Sequence, residues 1–234
     1  MAHRGIRTVV TVSLDGGATL HDRLRGLPGA WAKAVDTFRR LRLEPRVDVF
    51  IGTTLVPDNV ERYPQDLIEA VRTEIPDLSP TELHVNVMQR SDHYFNNQQQ
   101  PLPDPTEVAG ALARVKDLRG SPQSPFALLE WAYQKVALRA AEGGHTPLCQ
   151  ALNASFYLAP DGVVQPCHIW DHPVGQVTST TSNLAPFLKS AAAMEARAKI
   201  DGRRCLVCWT PCEAYPTLLS AAVNPRQLLT GKPF

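Results

Sequence analysis

The first thing missing is sulfur: all five cysteines lie at or after Cys149, so nothing upstream can bind a thiolate-held metal or form a disulfide. No apolar run approaches the length of a membrane-spanning helix, and no hydrophobic core follows Arg4 and Arg7 as a signal peptide would require. These absences argue against a membrane or secretory destination and point to a cytoplasmic protein whose thiols stay reduced. Charge of one sign is also missing. Lys and Arg number 24 against 23 Asp and Glu, for a net charge of +1, and no basic stripe interleaves with aromatics. Nothing therefore points to nucleic acid or an anionic surface. There is no Gly-x-Ser-x-Gly, no P-loop, no Gly-x-Gly-x-x-Gly and no His-Glu-x-x-His, which removes support for hydrolase and nucleotide-motor readings. At 234 residues the chain fits one large domain, or one plus a small appendix.

What is present gathers in the last third. Cys149 and Cys167 bracket a stretch that alternates small or polar with apolar residues around Asp161-Gly162, a pair suited to a two-residue hairpin turn. Such a turn sets Cys167 roughly opposite Phe156 and brings both thiols to one end of a ribbon. The second group, Cys205-x-x-Cys208-x-x-x-Cys212, reads as a tight turn opening a helix, where backbone N–H groups ease the burial of thiolate charge. Two ligands from a hairpin and two or three from such a turn build a four-thiolate cage. The ligand types suit zinc or a [4Fe–4S] cluster equally, and the spacing leaves open whether Cys208 or Cys212 is surplus. His168 and His172, flanking Trp170, are alternative ligands, though hydrogen bonding near the cage is the simpler role.

The N-terminal half alternates strand and helix. Residues 6–12 read as a buried β-branched strand, followed by a helix at 29–42 carrying Trp31, Val35, Phe38 and Leu41. A second strand covers 47–55, and Pro64 opens a helix with Leu67, Ile68, Val71 and Ile75 on one face. A third strand over 83–88 leads to a polar loop, 89–105, and a helix with Val108, Leu112, Val115 and Leu118. Three βα units predict an α/β fold with a parallel sheet and right-handed crossovers, whose ligands gather at the strands' C-terminal ends. Those ends carry Ser13, Asp15, Thr53, Thr54 and Asn86. His84 and His93 sit at the ends of the third strand and its loop, on the surface or near a substrate.

Cys149-x12-Gly162-x4-Cys167, the run Pro160-Asp161-Gly162-Val163-Val164-x-Pro166-Cys167 and Cys205-x2-Cys208-Trp209-x2-Cys212 resemble the C-terminal auxiliary-cluster region of radical S-adenosylmethionine (radical SAM) enzymes, in its shortened twitch form rather than the full SPASM domain. Ser13-Leu14-Asp15-Gly16, followed by His21-Asp22-x-x-Arg25-Gly26, resembles the fourth strand of the radical SAM partial barrel and the loop leaving it. The resemblance implies the C-terminal half of a partial (β/α)6 TIM-like barrel over 1–118 (strands four to six), a linker and helix over 119–145, and a hairpin-plus-helices twitch/SPASM-type iron–sulfur domain over 146–234. It implies one auxiliary [4Fe–4S] cluster held by Cys149, Cys167, Cys205 and either Cys208 or Cys212. It also implies S-adenosylmethionine contacts at Ser13 and Asp15, and less directly at Thr54 and Asn86. The bottom-up reading of any of these four is a strand-end hydrogen bond or, for Asp15, a turn cap.

The resemblance starts only at the fourth barrel strand. The Cys-x3-Cys-x2-Cys loop that holds the catalytic cluster of the family is absent, as are the first three βα units. The expectation is a gene begun at an internal start codon or a fragment of a longer one, with a split enzyme whose other half-barrel is a second chain, or a non-catalytic remnant, as the alternatives. The resemblance implies that S-adenosylmethionine is bound only when the other half-barrel is supplied, and that the substrate is a peptide or a small molecule. The reading from another class is a non-catalytic zinc module that fastens the hairpin to the helices. Composition further predicts a linker at 119–125, a helix over 126–142, a helix capped by Asn183 running to Ile200 with Phe187, Leu188, Ala191 and Met194 inward, and a final helix from Tyr215 to Val223.

Overall fold

A computed structural model describes residues 8–122, 125–205 and 208–223. The chain divides into two compact units. One runs up to Met88 and includes Pro103–Glu142, and the other joins Gln89–Leu102 to the chain from Gly143 onward. This differs from the expected three-part division, because the helix after the 119–125 segment belongs to the first unit and the polar loop 89–102 to the second.

In the first unit, β1 (Thr8–Ser13), β2 (Val47–Leu55) and β3 (Leu83–Val87) form a parallel sheet in the order β1-β2-β3. Ser13 lies opposite Gly52, and Thr54 opposite Asn86. The expected strand over 6–12 is thus β1, but none of its residues is buried; residues 6 and 7, and the start Met1-Ala-His-Arg-Gly, lie outside the described residues. The parallel register follows from the helices in the connections, α2 (Ala30–Leu41) between β1 and β2 and α3 (Gln65–Arg72) between β2 and β3, and α4 (Pro105–Arg119) follows β3. Val35 and Phe38 of α2, Leu67 and Val71 of α3, and Leu112 and Val115 of α4 are buried, as are Ile51, Leu55, Leu83 and Val85 of the strands. Each fully buried side chain of this size contributes about 1.5–3 kcal/mol relative to its exposure. Leu118, expected inward, is exposed. Ile75 is buried although α3 stops at Arg72.

One element was not expected: α1 (Ala18–Arg25) occupies the stretch read as a loop. It is short, and left-handed Gly26 stops it by donating its N–H to the Arg23 and Asp22 carbonyls. Helix α5 (Pro125–Ala141) lies against one face of the sheet, with the Phe126 ring tilted 4.5 Å from Phe50 and Tyr133 stacked 6.0 Å from His84. Beneath it sits a buried charge cluster. Glu130 accepts from Gln134 at 2.6 Å and pairs with His84 Nδ1 at 3.0 Å, and Arg119 Nη2 lies 4.0 Å from it while donating to the Leu83 carbonyl.

In the second unit, β4 (Tyr157–Leu158), β5 (Val163–Gln165) and β6 (Gly175–Gln176) make a small antiparallel sheet. The hairpin exists, but its loop has three residues, Pro160-Asp161-Gly162, because Ala159 and Val163 still share a ladder bond of 2.9 Å. Pro160 presets a type I turn and Gly162, at φ 90°, closes it in the left-handed region, where a Cβ would come within 2.5 Å of the Val177 carbonyl oxygen. Tyr157 therefore faces Gln165, a register one residue away from that of a two-residue turn, so Cys167 does not come opposite Phe156. The helix expected from Asn183 to Ile200 is broken in two. Leu184 is the N-cap of α6 (Ala185–Leu188), with Asn183 Oδ1 just before it accepting from Ala185 N–H at 2.9 Å, and Ser190, accepting from Ala193 N–H at 3.1 Å, starts α7 (Ala191–Asp201) afresh. The new start rotates the helix. Ala193, Ala196 and Ile200 face inward while Ala191 and Met194 are exposed. Helix α8 (Pro211–Val223) begins four residues before the expected Tyr215 and takes Cys212 into its first turn.

Candidate metal centre

Leu152, Val164, Val174, Ala193 and Ala196 form one small core in the second unit, and Ala151, Cys167, Ile169 and Ile200 form another. Cys149, Trp170 and Cys205 pack on the latter. The hairpin thus supplies Cys149 and Cys167, the end of α7 leads to Cys205, and the approach to α8 supplies Cys208. These four cysteines, with Trp170 and Glu213, line one cavity of about 80 Å3 that opens to solvent. Cys212 is exposed and is not among its walls. All five thiols are free.

Burial raises all five thiols. Burial pushes the Cys167 thiol up to about 12 and the Cys149 thiol up to about 11. Burial, then the neighbouring Cys167, Cys149, Glu213 and Cys205, raises Cys208 well above the usual thiol range. The Cys212 thiol is raised by burial and by Glu213 alone. Thiols held this way stay protonated until a cation replaces their protons. Backbone donors are already aimed at the sulfurs: Ala151 N–H reaches Cys149 Sγ at 3.4 Å and Trp170 N–H reaches Cys167 Sγ at 3.3 Å. A tetrahedral zinc site requires sulfurs about 3.8 Å apart, from Zn–S bonds of about 2.3 Å. Among the described residues no three His, Cys, Asp or Glu side chains close into a group that could hold a metal ion.

Glu213 was not singled out from the sequence, although it follows Cys212 directly. It is buried in the cavity wall, accepts from Ser155 Oγ at 2.5 Å, and its carboxyl is raised by burial. His93, left open between surface and substrate roles, packs in the second unit, where its Nε2 donates to the Cys167 carbonyl at 3.2 Å. His168 is buried and His172 stacks on Trp170 at 4.6 Å; neither lines the cavity.

In the first unit, Ser13, Thr54 and Asn86 lie on one face of the sheet towards its C-terminal end, Thr54 opposite Asn86 and Ser13 opposite Gly52, two residues before Thr54. Ser13 is exposed, and Asn86 Oδ1 accepts from the neighbouring Val87 N–H at 2.9 Å. Asp15 is different. Its carboxylate is buried and held by Arg25 Nε at 2.8 Å and Nη2 at 2.7 Å and by Thr54 N–H at 3.3 Å, while Asp15 N–H donates to His21 Nδ1. With its oxygens engaged by α1 and β2, Asp15 braces the strand end, and it also lines a cavity with Gly16, Asn59 and Asp66. His21 and Arg25, one helical turn apart, are the sequence signal that α1 exists to hold it.

No protein-family model matches the chain. It is 19% identical over 206 residues to the sporulation killing factor maturation protein SkfB of Bacillus subtilis (strain 168), a match covering 88% of this chain and 46% of SkfB. The chain therefore spans about half the length of that relative. Among solved structures, native anSMEcpe with bound AdoMet and the Kp18Cys peptide superposes with a TM-score of 0.52 at 13% identity, over 95% of this chain and 69% of that one. Native anSMEcpe with bound AdoMet gives a TM-score of 0.51 at 12% identity, over 97% and 69%. These structural likenesses show a shared mixed α/β fold. No helix among the described residues is long and apolar enough to cross a membrane.

Proposed function

The chain is related to the radical SAM enzymes, and from that premise we propose that it is the auxiliary-cluster part of a peptide-modifying maturase, with Cys149, Cys167, Cys205 and Cys208 holding one [4Fe–4S] cluster. The observation that carries the reading is the common cavity of those four cysteines, from which Cys212 is turned away. The donor set suits the group: four thiols lining one cavity and backbone N–H donors on two of the sulfurs. An auxiliary cluster, when bound, supplies one-electron redox capacity. The chain's own contribution is to aim the sulfurs, exclude water with Trp170, Ile169 and Ile200, and keep Glu213 against the wall through Ser155. Ser13, Thr54 and Asn86 form the polar edge proposed to face S-adenosylmethionine once the rest of a barrel is supplied. A peptide is the favoured substrate because the relatives are a maturation protein and an enzyme solved with a peptide bound.

Anaerobic purification followed by iron, sulfide and zinc analysis tests the reading. It predicts a brown protein with about four irons and matching sulfide per chain. A colourless protein with stoichiometric zinc supports the structural zinc module and removes the cluster.

A further inference from the structure

The loop 89–102 is drawn into the second unit by polar contacts that converge on the residues around one cysteine. Ser91, fully buried, donates its hydroxyl to the His168 carbonyl at 2.8 Å. Two residues on, the His93 ring donates through Nε2 to the Cys167 carbonyl at 3.2 Å; a carbonyl only accepts, so this nitrogen carries the proton. Two consecutive peptide planes are thereby held with their oxygens outward, toward the loop. On the other side of the same turn, Trp170 N–H points at Cys167 Sγ at 3.3 Å, and the Ile169 N–H also bonds that sulfur. Outward carbonyls and inward N–H groups are two sides of one backbone conformation, so bonds to the first set fix the second.

The loop is built to hold that position. Asn97 accepts from Ser91 N–H at 3.0 Å and donates to the Gln89 carbonyl at 2.9 Å, and Ser91 Oγ also accepts from Tyr94 N–H at 3.3 Å. The Tyr94 ring meets His168 and Tyr157 edge-on at 5.4 Å each, and the His93 ring packs 5.4 Å from Tyr157. These rings cover the two carbonyl bonds and limit competition from water.

We infer that Ser91 and His93 are positioning residues for the cysteine-held group: they latch the Cys167–Trp170 turn so that its N–H groups stay aimed at Cys167 Sγ. The inference rests on the cysteine site proposed above. Partners that act one shell beyond a metal ligand change retention about 10–100-fold when removed, and hydrogen bonds to cluster sulfurs set the reduction potential.

Three variants test it: S91A, H93F and H93Q. H93F keeps an aromatic ring against Tyr157 and loses the donor, whereas H93Q keeps an N–H that reaches the Cys167 carbonyl. Iron release from the anaerobically purified full chain to bathophenanthroline, and the midpoint potential from a dye-linked titration, are measured alongside far-ultraviolet circular dichroism. The latch predicts release about 10–100-fold faster in H93F and S91A at unchanged helix content, a potential shifted negative, and recovery of both in H93Q. Release and potential in H93F equal to those of the parent chain overturn it, as does an H93Q that behaves like H93F. Should the parent chain hold zinc instead of iron, the cluster reading fails while zinc release to a colorimetric chelator still decides the latch by the same comparison. A parent chain that retains neither metal overturns both.

Discussion

Glu130 is fully buried and Arg119 is 6% exposed, so replacing Glu130 with alanine takes away a carboxylate that lies 4.0 Å from an interior guanidinium. At 4.0 Å between Arg119 Nη2 and Glu130 Oε1, the Coulomb attraction is about 4 kcal/mol at an effective dielectric of about 20. Breaking a buried pair from one side costs about 3–5 kcal/mol, and the bonds to Gln134 and His84 are lost with it. Against a typical domain stability of about 5–15 kcal/mol, E130A is expected to lose a large fraction of the first unit's stability. Urea unfolding followed by circular dichroism reads this as a fall in midpoint with an unchanged slope. Removing both charges is a different perturbation. The double variant R119M/E130L replaces the pair with apolar groups of similar volume and is expected to recover most of the loss. A loss below about 1 kcal/mol in E130A, or a double variant no better than the single, would refute the claim that the pair's desolvation, and not general packing, dominates there.

Further outcomes follow from other positions. G175A places a Cβ within 2.4 Å of the Phe187 ring, so overpacking is expected to cost about 1–3 kcal/mol, read as a lower thermal midpoint for the second unit. Burial lowers the His21 pKa below 6.5, with Asp15 opposing in part, so the unfolded chain binds the extra proton first. Stability present at neutral pH should then fall as the pH drops through the range below 6.5, and H21Q should flatten that slope in unfolding titrations. R25A removes the partner of Asp15 at 2.7 Å and should loosen α1, read as faster amide exchange over Ala18–Arg25, while leaving metal content unchanged.

The three parallel strands and α2 to α4 were legible because β-branched runs and 3.6-residue apolar spacing both survive in the folded chain. Helix α1 was hidden because its first residues follow Gly16-Gly17 and it buries only His21, a polar residue. Its reason is the Asp15 carboxylate, a contact that periodicity does not encode. The hairpin was readable from Asp161-Gly162, but its register depended on Pro160 extending the loop. The break at Ser190 was missed because an alanine-rich run suits one long helix as well as two. Cys208 and Cys212 were indistinguishable by spacing, since the phase of α8 decides which faces the cavity. The role of the loop 89–102 was invisible because Ser91 and His93 find partners more than seventy residues away.

Iron and sulfide content of anaerobically purified parent, C208A and C212A chains bears most directly on the cysteine site. About four irons per chain in the parent, retained in C212A and lost in C208A, is the predicted pattern. Loss in C212A with retention in C208A, or stoichiometric zinc and no sulfide in the parent, would contradict it.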